Sequence, residues 1–179
     1  HGFDETSFQM VAKELEISHA AIIYHFENKK KLLDECINEV LRRCQQYSSE
    51  SFEKNDDAHQ RLIKYFQFFI TWSAVYRVDA ELLLLFSYFG AVREDFSGTY
   101  HNAMAYFYEE VETILLAGKR EGIFHFSSDS KMIARMMTDY VFGLVFNRLA
   151  QRDKVDKINE VNKRFDYLIR SLAKLSPGD

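Results

Sequence analysis

Apolar residues recur along this chain at intervals of three and four, the spacing of a helix with one buried face, and the pattern persists almost from end to end. Phe8, Val11, Ala12 and Leu15 fall at i, i+3, i+4 and i+7 and predict a short amphipathic helix that Thr6 or Ser7 can cap. The pattern breaks near Glu16. Ser18 is a favoured helix-starting residue, and a second short helix through Tyr24 or His25 turns Ile22 and Phe26 inward. Asn28 caps a third helix, whose stripe of Leu32, Leu33, Cys36, Ile37, Val40, Leu41 and Cys44 carries it to about Gln46.

The polar segment SSESFEKNDD, residues 48–57, interrupts this patterning and marks a junction between a domain over 1–47 and a larger one over 48–179. Beyond it the texture changes. YFQFFITWSAVY and LLLLFSYF are apolar nearly all round, so the helices predicted over 58–77 and 79–96 belong inside a core. A long helix over 99–121 carries Met104, Phe107, Val111, Ile114 and Leu115, and Gly122 is a natural stop. SSDS at 127–130 supplies the next cap. Helices over 129–151 and 155–175 follow, the last with Ile158, Val161, Phe165, Leu168, Ile169 and Leu172 on one stripe. With one proline and seven glycines in 179 residues there are few obligatory breakers, and the expected class is all-α.

Composition narrows the function classes. At 47% hydrophobic and 28% charged residues the chain is globular, and no window is apolar enough for a membrane span. The formal charge of -4 argues against wholesale polyanion binding, although a small basic face fits inside an acidic total. Cys36 and Cys44, eight residues apart on one helix, are separated by about 12 Å of rise and cannot pair. They are expected as buried small hydrophobes in a reducing cytoplasm. His59, His101 and His125 lack metal-ligand spacing, and no GxSxG, phosphate-binding loop, HExxH or Cys/His cluster occurs. Neither a metal, a cofactor nor an enzymatic activity is therefore expected. The chain opens on His-Gly rather than Met, so the lack of a targeting segment carries little weight.

Two short helices joined by a tight turn, the second opened by Ser18 and packed by Ile22, have the layout of a helix-turn-helix. Around that layout stand Gly2-Phe3 with Thr6, then Ala12, Leu15, Ile17 and Ser18, then Ile22, His25, Phe26 and Lys29, followed by Leu32 and Leu33. At these spacings the first 35 or so residues resemble the TetR family of bacterial transcriptional regulators. Glu16 stands where that family usually has Gly, a turn position that often needs positive φ and where another residue costs roughly 1 kcal/mol. Ile23 replaces a common Tyr and Ala20 a common Gly, with Tyr24 one position on. The family's first helix would precede Gly2 and is missing from this chain. Residues 1–46 hold six basic and eight acidic groups.

With Ile22 and Phe26 inward, His19, Ala20, Ala21 and Tyr24 lie on the outer face of the second helix, the geometry for base edges in a major groove, with a merely solvated face as the alternative. The resemblance implies phosphate contacts at Ser7, Gln9, His25 and Lys29, while Lys30 and Lys31 read equally well as a solvated face. It also implies a larger helical domain with an effector cavity. The aromatic residues Tyr65, Phe69, Trp72, Phe86, Phe89, Tyr106, Phe107 and Phe142 are candidates to line one, ordinary core being the alternative for each. Their character favours a flat or apolar ligand. The last two long helices would pair with their twins in a homodimer through Met136, Tyr140, Phe146, Phe165, Leu168 and Leu172, intramolecular core being the alternative for about half. The expected protein is a cytoplasmic, ligand-responsive repressor binding a double-stranded DNA operator. A helical small-molecule carrier or a protein-interaction adaptor without DNA binding are the rival expectations.

Overall fold

The computed structural model describes residues 5–151 and 158–173, which form eight helices and no strand. These are α1 (Phe8–Glu14), α2 (His19–His25), α3 (Lys29–Glu50), α4 (Ala58–Val75), α5 (Arg77–Val92), α6 (Glu94–Arg120), α7 (Ser130–Gln151) and α8 (Ile158–Ala173). None is long and apolar enough to cross a membrane. Gly2 and Phe3 of the expected motif, and positions 155–157 and 174–175 of the expected last helix, lie outside the described residues.

The chain divides into two compact units, His1–Arg43 and Cys44–Asp179. The division falls within α3, ahead of the junction expected after residue 47. The polar stretch opening at Ser48 is no break at first: α3 continues to Glu50 because the Ser48 and Ser49 hydroxyls donate to the carbonyls of Gln45 and Gln46 (3.1 and 2.7 Å). Serines bonded to their own helix in this way have no call on the backbone for another conformation.

In the first unit each short helix begins at the residue the pattern names. The Ser7 side chain accepts from the Met10 amide at 3.3 Å, Ser18 from Ala21 at 3.1 Å, and Asn28 from Lys31 at 2.9 Å. Each bond satisfies an amide that the first turn leaves without a partner. The turn after α1 is a left-handed C-terminal motif. Ile17 N donates to Ala12 O at 3.0 Å and Glu16 N to Lys13 O at 3.3 Å, with Glu16 at φ 53. Glu16 is the one non-glycine at positive φ among the described residues. Holding a side chain there costs about 1–2 kcal/mol, partly offset because Gly would lose more chain entropy. Glu16→Gly should therefore stabilise the unit by about 0.5–1 kcal/mol, read as a raised urea midpoint by circular dichroism. An unchanged or lowered midpoint would contradict the assignment of strain. Ala12 and Ile22 are buried and Phe26 is half-buried, but Leu15, expected on the inward stripe, is 60% exposed because it is the capping residue where the chain already leaves the helix.

In the second unit α4 packs against α5, α6, α7 and α8, and α6 lies against both α5 and α7. The fully buried residues include Phe66, Phe86, Phe96, Phe107, Phe124 and Phe165. Asp57 and Gln60 cap α4 reciprocally, each side chain accepting from the other's amide (2.8 and 3.0 Å). The α4–α5 corner has neither Gly nor Pro; Tyr76 turns it at φ -108, ψ 56. The long helix α6 starts at Glu94 rather than Thr99. Phe96 is wholly buried, 5.3 Å from Phe89 and 6.3 Å from Phe86, and this packing holds the extra turn helical, with Glu94 and Asp95 favourably placed at its amino end. Gly122 ends that helix at φ +76, as its position suggests, and Asp129 accepts from the Lys131 amide at 3.2 Å where the next one begins.

Both cysteines are free, and Cys44 is buried. Cys36 is exposed, contrary to expectation. Leu33, Ile37, Val40 and Cys44 are the buried line of α3, spaced by four and three, and Cys36 falls on its flank.

Candidate DNA-reading face and effector seam

α2 is held by one deeply buried residue, Ile22, 3% exposed, and the side of the helix opposite it faces solvent. His19, Ala20 and His25 are exposed, Ala21 is half-buried, and Tyr24 is 86% exposed, its ring edge-on to His25 at 5.2 Å. Three of the four candidates for base contact, His19, Ala20 and Tyr24, are thus exposed on one helix, and Ala21 borders its buried side. Ser7 and Gln9 are exposed and Lys29 half-buried. Ser7 spends its oxygen as a cap, so its remaining asset toward a phosphate is its O–H. Lys30 and Lys31 pair along α3 with Asp34 (2.6 Å, part-buried) and Glu35 (3.8 Å, exposed), which leaves a partly neutralised face.

The eight aromatic candidates do not share one cavity. Tyr65 and Phe69 from α4, Phe107 from α6 and Phe142 from α7 meet at a closed seam, completed by Phe66, Thr138 and Val141. Its gap is nowhere wide enough for a water molecule. The rings of Phe69, Phe107 and Phe142 contact one another with centroids 5.0–5.8 Å apart. Trp72 is buried beside them, 6.3 Å from Phe69. Phe86 and Phe89 belong elsewhere, in the α5–α6 cluster around Phe96. Tyr106 is half-buried; burial and the nearby Glu110 carboxylate push its hydroxyl up to about 12. Burial likewise raises Glu110, which bonds to Tyr106.

The lining residues that pattern reading misses are Thr138 and Val141. Thr138 lies four positions before Phe142 and so shares its helix face, a polar residue on an apolar stripe, which is the available signal. The hydroxyls of Tyr65 and Thr138 and the Trp72 indole N–H are buried without a hydrogen-bond partner.

Of the residues expected at a dimer interface, Met136 is 49% exposed and Tyr140, Phe146, Leu168 and Leu172 are half-buried. Phe165 is not available to a partner. It is 0% exposed, enclosed by its own chain against Phe66 and Tyr140 (5.2 and 6.3 Å), and the expectation for it is corrected to core.

Comparison with known proteins decides what this arrangement is. Residues 1–36 match the family model for bacterial regulatory proteins of the tetR family. The amino-terminal helix-turn-helix thus resembles that of the TetR family. Across 96% of its length it is 21% identical to the uncharacterized HTH-type transcriptional regulator YhgD of Bacillus subtilis, covering 88% of that protein. A TetR transcription regulator from Haloarcula marismortui has the same fold, with TM-score 0.80 and 18% identity over 97% of this chain and 90% of that one. So does a Saccharomonospora viridis protein solved in complex with choline, with TM-score 0.77 and 18% identity over 95% and 88%. These similarities support a TetR-family transcriptional regulator, with a helix-turn-helix in the amino-terminal unit and an all-helical carboxy-terminal unit.

Proposed function

We propose that this regulator is a homodimeric repressor that leaves its operator when a small, largely apolar molecule binds the carboxy-terminal unit. The observation that carries the reading is the outer face of α2, where Tyr24, His19 and Ala20 are offered to solvent by a helix anchored through Ile22. Tyr24 and His19, with Ala20 and Ala21, would meet base edges in the major groove. Ser7, Gln9, His25 and Lys29 would hold the phosphates and set the register. A dimer must present its two recognition helices about 34 Å apart to enter successive grooves on one face of the DNA. Met136, Tyr140, Phe146, Leu168 and Leu172 on α7 and α8 are proposed to join the protomers in that dimer. An effector favours a wider spacing only through its higher affinity for that state, and DNA affinity then falls. The choline complex of a similarly folded protein supports a fold of this type holding a small organic molecule. The work of such a repressor lies with DNA in the cytoplasm and needs no chemical step.

The test is gel-shift titration of the full chain on the intergenic DNA upstream of its own gene. Sequence-selective binding should weaken steeply as salt rises from 50 to 200 mM. Tyr24→Ala should lose about tenfold or more in affinity for that DNA relative to non-specific DNA. Binding that shows no sequence preference at any salt would overturn the regulator mechanism described here.

A further inference from the structure

One face of α5 is apolar and open to solvent along its length. Val78 is 76%, Tyr88 59% and Val92 57% exposed; Leu84 is exposed beside them and Leu85 half-buried. Val78, Glu81, Leu85, Tyr88 and Val92 follow one another at steps of three and four, a single row down the helix. Apolar groups exposed singly are ordinary, whereas a contiguous row of them marks a surface that another molecule covers. α5 packs on α4, α6 and α7 with Ala80, Leu83, Phe86 and Phe89 buried, and the row lies outside that packing. None of the residues proposed above to join two protomers is on α5.

The polar members of the row select its occupant. Around Leu85 the row is nearly symmetrical: Val78 and Val92 lie seven residues before and after it, Glu81 four before and Tyr88 three after. A second α5 laid antiparallel, with a two-fold axis at Leu85, therefore sets Val78 against the other copy's Val92, Leu85 against itself and Glu81 against Tyr88. The carboxylate accepts and the phenol O–H donates, once on each side of the axis. Glu81 also pairs with Arg77 of its own helix at 2.7 Å and keeps lone pairs for the tyrosine. A parallel arrangement would set Glu81 against its own copy, which like-charge repulsion opposes. The 16 residues of α5 make a face about 24 Å long. That is small for a stable interface, so the contact is a weak one that forms at high concentration or between molecules already held close together.

We propose that the outward face of α5 is a self-association surface, on which two copies of this chain pack their α5 helices antiparallel and Glu81 of each accepts from Tyr88 of the other. It goes beyond the dimer through α7 and α8 and joins copies that those helices do not.

Sedimentation equilibrium of the full chain from about 1 to 500 μM tests it. The weight-average mass of the wild type should rise with concentration. Tyr88→Glu, which sets a carboxylate against Glu81, should weaken that association at least about tenfold. The charge-paired variant Glu81→Lys/Tyr88→Glu should regain it, because opposite charges then meet across the axis. Both positions are exposed, so the melting temperature should not move. Val78→Asp, at the end of the row, should give the same loss of association and takes the place of Tyr88→Glu if that variant melts lower. The proposal is overturned if wild type and variant have equal masses at every concentration, or if the charge-paired variant associates no better than Tyr88→Glu. Met136→Glu on α7 separates it from the dimer reading. If Met136→Glu lowers the mass and Tyr88→Glu does not, the α7–α8 dimer stands and the α5 surface fails. If Tyr88→Glu lowers it and Met136→Glu does not, the α5 surface stands and the α7–α8 dimer fails.

Discussion

Phe165→Ala should lower the unfolding free energy of the carboxy-terminal unit by about 3–5 kcal/mol, the loss typical of a fully buried phenylalanine whose cavity cannot collapse. Phe165 is 0% exposed, and its ring lies 5.2 Å from that of Phe66 on α4 and 6.3 Å from that of Tyr140 on α7. It is thus the point at which α8 is tied to two other helices. The neighbours cannot close the gap cheaply, because Phe66 is itself wholly enclosed and makes a further ring contact with Tyr65 at 6.1 Å. Urea denaturation followed by Trp72 fluorescence reads this unit, since no other tryptophan contributes. A loss below about 1 kcal/mol would mean that the ring is not the anchor its burial implies.

Gly118→Ala should cost about 2–3 kcal/mol, against the usual gain of about 1 kcal/mol when alanine replaces a helical glycine. A methyl group on Gly118 would stand 2.2 and 2.5 Å from two ring carbons of Phe124 and 2.7 Å from the Ala58 methyl. Neither neighbour can yield freely. Phe124 is 1% exposed and its amide donates to Gly118 O at 3.1 Å, and Ala58 is the wholly buried first residue of α4. Relief requires moving helix α4 or expelling the ring. Gly143→Ala on α7 is the matched control: nothing stands within 4 Å of its added methyl, and it should stabilise by up to about 1 kcal/mol. If the two variants have the same urea midpoint, the close approach at Gly118 does not matter.

The parts of the fold legible from the sequence are those set by local chemistry. Ser7, Ser18 and Asn28 each start a helix because their side chains satisfy amides three residues on, a bond that needs no distant partner. The turn at Glu16 was legible despite the missing glycine, because the patterns before and after it leave no other place for the reversal. The α4–α5 corner and the start of α6 were not. Tyr76 carries no breaking signal, and Phe96 makes its helical turn by packing on Phe86 and Phe89, residues of another helix.

The candidate sites divide in the same way. The outer face of α2 follows from one buried residue and helical periodicity: His19, Ala20 and Tyr24 are exposed on it, while Ala21, expected beside them, is half-buried. The aromatic list named Tyr65, Phe69, Phe107 and Phe142 together with Phe86 and Phe89, which pack in a different cluster, since an aromatic residue carries no mark of which neighbours it will meet. By itself the sequence determined the all-helical class, the helix-turn-helix and the face it turns outward, because capping and periodicity act within a few residues. Only the tertiary structure decided that Phe165 is core, that Gly118 has no room for a methyl group, and that Tyr65 and Thr138 close one seam with unpaired hydroxyls. Each of those facts depends on residues far apart in the chain being brought to within a few ångströms, and no local pattern encodes that distance.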